Sequence, residues 1–186
     1  VLAGTTRPLT GREIARLVGR SSHSGVLNAL DRLVEHGLVD REEAGAALLF
    51  TLNREHLAAP AVDLLAQMRS ELLNRLRGAV DSWEIQPAHV SLFGSAARGE
   101  GDTESDIDLF VVRPKSIDSE DPRWREQLDL LARRVQRWTG NRLGVSEVGK
   151  SDISRLRKDE SPILDELRAD AITLAGPTAT ALLGRP

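Results

Sequence analysis

The sequence predicts an α+β chain in two folded parts: a small helical unit closed by a β-hairpin, and a larger unit built on a small mixed sheet, joined by a long helix. Three observations carry this reading. Apolar residues recur at helical spacing over residues 10–36 and again over 61–82. Between these stretches, two apolar runs flank a polar turn, as in a hairpin. After Trp83 the pattern changes to short strands interrupted by a single long helix. The expected boundaries are 1–56, 57–82 and 83–186, and either flanking part is long enough to close its own core.

Thr10-Gly11-Arg12-Glu13 is a capping box, with the threonine capping a helix start and the glutamate reaching back to it. Ile14, Leu17 and Val18 continue that helix until Gly19-Arg20-Ser21-Ser22 breaks it. A second helix follows from Ser24 to His36, with Val26, Leu27, Leu30, Leu33 and Val34 on one face and Gly37 just past its end. Leu38-Val39 and Leu48 to Leu52 then read as strands, joined through Glu42 to Ala46. This order of helix, turn, helix and hairpin resembles the winged helix-turn-helix domains of bacterial regulators. The resemblance implies that Arg20, Ser22, His23, Ser24 and Asn28, at the start of the second helix, face DNA. Charge leaves a protein-contact or homodimer role equally open. Residues 1–56 hold seven basic and seven acidic side chains, and Asp40-Arg41-Glu42-Glu43 at the wing repels phosphate.

From Ala61 to Ser82, Leu64, Met68, Leu72, Leu76 and Val80 fall at every fourth position, a stripe expected to pack along its length with Met68 in the core. Leu65 and Leu73 widen it. Beyond lie strands at His89–Phe93, Ile107–Val112 and Leu143–Val148, a helix from Arg123 to Thr139 closed by Gly140, and short helices at Asp152–Lys158 and Pro162–Asp170.

The absence of cysteine excludes disulfides, thiolate metal sites and cysteine nucleophiles. No run approaches the roughly 18 apolar residues of a membrane span, and the expected location is cytoplasmic. The four histidines are too scattered to form a metal cluster.

The chemistry is concentrated in Phe93-Gly94-Ser95-Ala96-Ala97-Arg98-Gly99, followed by Asp106-Ile107-Asp108. Glycine and serine after a strand let the backbone approach a phosphate, and the N–H groups of a following helical turn supply donors. Asp106 and Asp108 stand two apart in a strand, so their side chains leave one face while Ile107 and Leu109 enter the core. Paired carboxylates repel each other unless a cation lies between them, an arrangement that suits Mg²⁺.

Gly-Ser, a gap of ten residues and Asp-x-Asp inside a strand resemble the signature of the DNA polymerase beta-like nucleotidyltransferase superfamily, most closely its minimal, MNT-type branch. The resemblance implies an NTP substrate and Mg²⁺ or Mn²⁺, with Ser95 and Gly94 at the triphosphate and Asp106 and Asp108 on the metal. Arg98 would lie near the phosphates or brace the loop. The family places a third carboxylate on a later strand, and Glu147 is the candidate, with Asp152 a weaker alternative better explained as a helix cap. The acceptor hydroxyl is left open among protein, RNA and small molecules. A second reading is a DNA-binding regulator or antitoxin-like protein that senses nucleotide without turnover.

Overall fold

A computed structural model describes residues 1–19, 22–99, 105–158 and 162–184. The chain divides into two compact units, Val1–Ser70 and Glu71–Pro186, so the boundary falls inside the long helix α3 (Ala59–Asp81).

In the first unit, α1 (Gly11–Val18) and α2 (His23–Glu35) pack on an antiparallel sheet of order β1-β3-β2, with β1 at Leu9–Thr10, β2 at Val39–Ala44 and β3 at Ala47–Leu52. The capping box forms: the Thr10 hydroxyl accepts from the Glu13 N–H, and the Glu13 carboxylate accepts from the Thr10 N–H at 2.8 Å. Leu9, Ile14, Val26, Leu30, Val39 and Phe50 close the core. Leu17 and Val18 lie outside it, exposed. The hairpin differs from expectation, because β2 continues through Asp40-Arg41-Glu42-Glu43 to Ala44 and leaves only Gly45-Ala46 as the turn. Every residue of β2 after Val39 is exposed. An edge strand with no apolar partner face therefore carries no alternation that a sequence pattern could detect.

Helix α3 corrects a second expectation. Leu76 and Val80 are fully buried, but Leu64 and Met68 are 69% and 61% exposed, so the stripe is not packed along its length. Residues 64–71 are exposed on every side of the helix, Leu65 included, so nothing among the described residues covers this stretch and only the C-terminal end of the stripe is packed.

The second unit is a four-stranded mixed sheet of order β6-β5-β4-β7, with β4 at His89–Phe93, β5 at Ile107–Arg113, β6 at Leu143–Gly149 and β7 at Ile172–Ala175. β5 pairs antiparallel with β4 and parallel with β6. β7, unexpected from sequence, pairs antiparallel with β4. Both faces are covered. Val90, Leu92, Ile107, Leu109 and Val111 pack with the C-terminal half of α3 and with α5 (Pro122–Thr139), whose start is capped by Asp121. On the other face, Phe93, Phe110 and Val112 pack with α6 (Ile153–Lys158), α7 (Pro162–Asp170) and α8 (Ala179–Leu183). Among the described residues no helix is long and apolar enough to cross a membrane.

Candidate functional site

β4 runs straight into the short helix α4 (Gly94–Arg98) through Gly94, which is buried and has φ of +70°. A side chain is disfavoured there on conformational grounds, and also on spatial ones, since a Cβ at Gly94 would stand 3.1 Å from Asp108 Oδ2. Phe93 at the N-cap supplies no side-chain cap, and Ser95 lies half-buried in the first turn. The conformation between strand and helix is thus set by Gly94, and it brings the Gly-Ser turn against the second aspartate of the motif.

Asp106 and Asp108 stand at the entrance to β5. Strand alternation puts them on the face of Phe110 and Val112, the side covered by α7. Asp108 sits opposite Phe93 on β4 and Gly144 on β6, and a Cβ at Gly144 would come 2.5 Å from its Oδ1. Its carboxylate is thus bounded by two glycines. Burial first, then the charges of Asp106 and of Glu166 on α7, raise its pKa above the ordinary 3.8. Neither aspartate is given a hydrogen bond or an ion pair among the described residues. Two adjacent anionic oxygen donors without a cationic side chain between them are a donor set that fits a hard divalent ion. Among the described residues, however, no three acidic or histidine side chains are gathered as a metal-ready group.

Arg98 closes α4 and pairs with Asp170 of α7 at 3.0 Å, tying the Gly-Ser helix to the helix over the aspartate face. The alternative of a brace is the one this contact supports.

Glu147 requires correction. It pairs in register with Val111, so it leaves the sheet on the face of Ile107, Leu109 and Val111, opposite Asp106 and Asp108. There its Oε1 accepts from Arg113 Nε at 2.8 Å and from Trp124 Nε1 at 3.1 Å. Asp152 lines the same cavity as Glu147 and Arg113. The residues of β6 on the aspartate face are Gly144, Ser146 and Val148 by the same alternation, none of them acidic. Sequence reading missed Gly144, which no motif marks and which meets Asp108 only through the register of β6 against β5.

In the first unit, Ser22, His23, Ser24 and Asn28 are all exposed at the start of α2, and Arg20 lies outside the described residues. Ser22 is engaged as the N-cap, accepting from the Gly25 N–H at 3.1 Å.

The chain belongs to the nucleotidyltransferase domain family, which matches residues 73–168. That span contains α4, the aspartate pair, β6 and most of α7. No curated protein sequence matches the chain significantly. Two solved structures are similar over part of it. One is the toxin–antitoxin MntA–HpeT mutant, at 14% identity, 60% of this chain and 80% of that chain covered, and a TM-score of 0.42. The other is a toxin–antitoxin with AMP-PNP, at 18% identity, 60% and 80% covered, and a TM-score of 0.40.

Proposed function

We propose that the chain transfers a nucleoside monophosphate from an NTP to a hydroxyl on a protein, RNA or small molecule. The observation that carries this is the contact between the Gly94 turn and the Asp108 carboxylate inside the family-matched segment. It supports a site where phosphate binding and charge neutralisation meet. Gly94 lets the backbone approach the triphosphate, and the Ser95 hydroxyl and first-turn N–H groups of α4 orient it. Asp106 and Asp108 would hold Mg²⁺ or Mn²⁺, which would supply charge stabilisation at the α-phosphate and the leaving pyrophosphate. Arg98, anchored by Asp170, keeps α4 in place. The acceptor oxygen bonds to the α-phosphorus as the bond to pyrophosphate breaks and the hydroxyl proton passes to solvent, and the site contributes mainly by holding these groups in line.

We read residues 1–56 as a winged helix, a reading supported by the β1-β3-β2 order and by the exposed start of α2. This unit presents Ser22, His23, Ser24 and Asn28 to DNA or to a protein surface.

The lack of a carboxylate on the aspartate face of β6 favours one alternative, a regulator that binds nucleotide without turning it over. Incubation with labelled NTP, Mg²⁺ and a cell extract separates the two. Transfer predicts a labelled acceptor that disappears when Asp106→Asn and Asp108→Asn are combined. Failure to label with any of the four NTPs, while nucleotide and DNA affinity persist, would establish the sensor and sink the transferase.

A further inference from the structure

We infer that the arginines at the C-terminal end of α5 form a docking surface for the phosphate backbone of a nucleic-acid strand, and that the 3′ hydroxyl of that strand is the acceptor. The inference rests on the nucleotidyl-transfer reading and deepens it by naming the class of acceptor. Residues 130–146 contain Arg133, Arg134, Arg137 and Arg142 and no aspartate or glutamate, in a chain whose net charge is −3. The acidic residues of α5, Glu126 and Asp129, lie in its first half. All four arginines are exposed, and none makes an ion pair among the described residues. At the start of the same helix, by contrast, Arg123 pairs with Asp121 and Glu84, and Arg125 with Glu120.

The helix dipole favours a cation in the last turn, which accounts for Arg137 but not for Arg133 and Arg134 before it or Arg142 beyond the helix end. Arg133 and Arg134 stand four and three residues from Arg137, spacings at which side chains are neighbours about 5–6 Å apart and like charges destabilise a helix. A row of unpaired cations on an open surface calls for a ligand with repeated negative charge. All four are arginine, whose planar fork of donors matches a phosphate. Trp138, half-buried, shares the side of Arg134, and Arg75 of α3 lies over its ring at 5.8 Å. Cations beside an aromatic are the means by which single strands are held.

The topology sets this surface at the end of the sheet where the Gly94 turn and the aspartates stand. β4 ends at Phe93, opposite Asp108, and β5 begins at Ile107. β6 runs parallel to β5, so α5 returns the chain to the end at which β5 starts. The connection touches that start directly. Asn141 donates to the Ser105 carbonyl at 2.6 Å, and the Ile107 N–H donates to the Arg142 carbonyl at 2.8 Å. Arg142 precedes Leu143, the partner of Ile107, so alternation turns it toward the face of Gly144 and Asp108. A strand laid along the arginines therefore brings its end to the aspartate pair. There its 3′ oxygen bonds to the α-phosphorus of the NTP, pyrophosphate leaves and the hydroxyl proton passes to solvent.

The test is fluorescence anisotropy of the full chain with a short single-stranded RNA, the DNA strand of the same sequence and an acidic peptide, each over a range of salt. Transfer of labelled nucleotide to the same probes follows. Strand affinity should fall with salt at a log–log slope of about −3, from four phosphates at about −0.7 each. Arg134→Gln combined with Arg137→Gln should weaken binding on the order of twentyfold in about 0.1 M salt and halve that slope. The same variant should raise KM for the strand while kcat and melting temperature hold. Arg123→Gln, at the other end of the helix, should leave strand affinity unchanged. Label should enter a strand with a free 3′ hydroxyl and not one with a 3′-deoxy end, and the strand that is extended identifies the sugar. Strand affinity indifferent to the paired substitution, or binding of the acidic peptide alone, overturns the inference; nucleotidyl transfer stands if labelled NTP still marks an acceptor in a cell extract. Wild type that binds no nucleotide and labels no acceptor overturns both.

Discussion

The carboxylate of Asp108 lies over Gly144 of the neighbouring strand, close enough that a Cβ there would stand 2.5 Å from Oδ1. On the other side a Cβ at Gly94 would stand 3.1 Å from Oδ2 of the same carboxylate, so Asp108 has little room to give way. Gly144→Ala should therefore displace Asp108. The expected result is a large loss of Mn²⁺-dependent nucleotide affinity and transfer, with a stability cost of about 1–3 kcal/mol as for other overpacked sites. Nucleotide titration and denaturant unfolding measure the two effects, and full affinity in the variant would mean that the Asp108 position is not set by this contact.

Asp108 also makes a pH prediction. Burial, then Asp106 and Glu166, raise its pKa, so the folded chain binds this proton more tightly than the unfolded chain does. The group's favourable contribution to stability is present below the ordinary value of 3.8 and is lost as pH rises through the raised one. Relative to Asp108→Asn, metal-free wild type should lose melting temperature across that window, so at neutral pH the variant should melt a few degrees higher. A cation needs the ionised carboxylate, so Mn²⁺ affinity should fall as pH falls through the same window. Parallel melting curves for wild type and variant at every pH would remove the premise.

Glu147 supports the fold on the opposite side of the sheet. It and Arg113 are 15% and 18% exposed, and Trp124 donates to the same oxygen. Glu147→Gln keeps one oxygen acceptor but removes the charge, so unfolding free energy should drop by about 1–3 kcal/mol. Nucleotide affinity and transfer should be those of wild type. A variant that unfolds normally but has lost transfer would return Glu147 to the chemistry.

The motif was legible because its logic is local. A strand, a glycine with positive φ and two aspartates in alternation are written in nearly consecutive residues, and the strand pairing sets the Gly94 turn against Asp108. Local periodicity also gave α5 and its cap at Gly140. What failed depended on something outside the local pattern. The face of Glu147 is fixed by the register of β6 against β5, and a one-residue difference reverses it. β7 is four residues whose strand character comes from pairing with β4, and its following Gly176 must pass so close that a Cβ would meet the Ala88 carbonyl oxygen at 2.5 Å.

Helix α3 separates a sequence stripe from a packed face, and substitutions along it measure the difference. Leu76 is fully buried in the core beneath the sheet, so Leu76→Ala removes apolar contact and leaves a cavity, costing about 2–5 kcal/mol. Leu64 and Met68 satisfy the same four-residue spacing but stand mostly in solvent, so Leu64→Ala and Met68→Ala should each change stability by less than about 0.5 kcal/mol. Urea unfolding of the three variants tests directly which part of the stripe is packed. Equal losses at Met68 and Leu76 would show that the first half of the helix is also covered in solution, and the contrast between exposed and buried leucines along α3 would then have no energetic meaning.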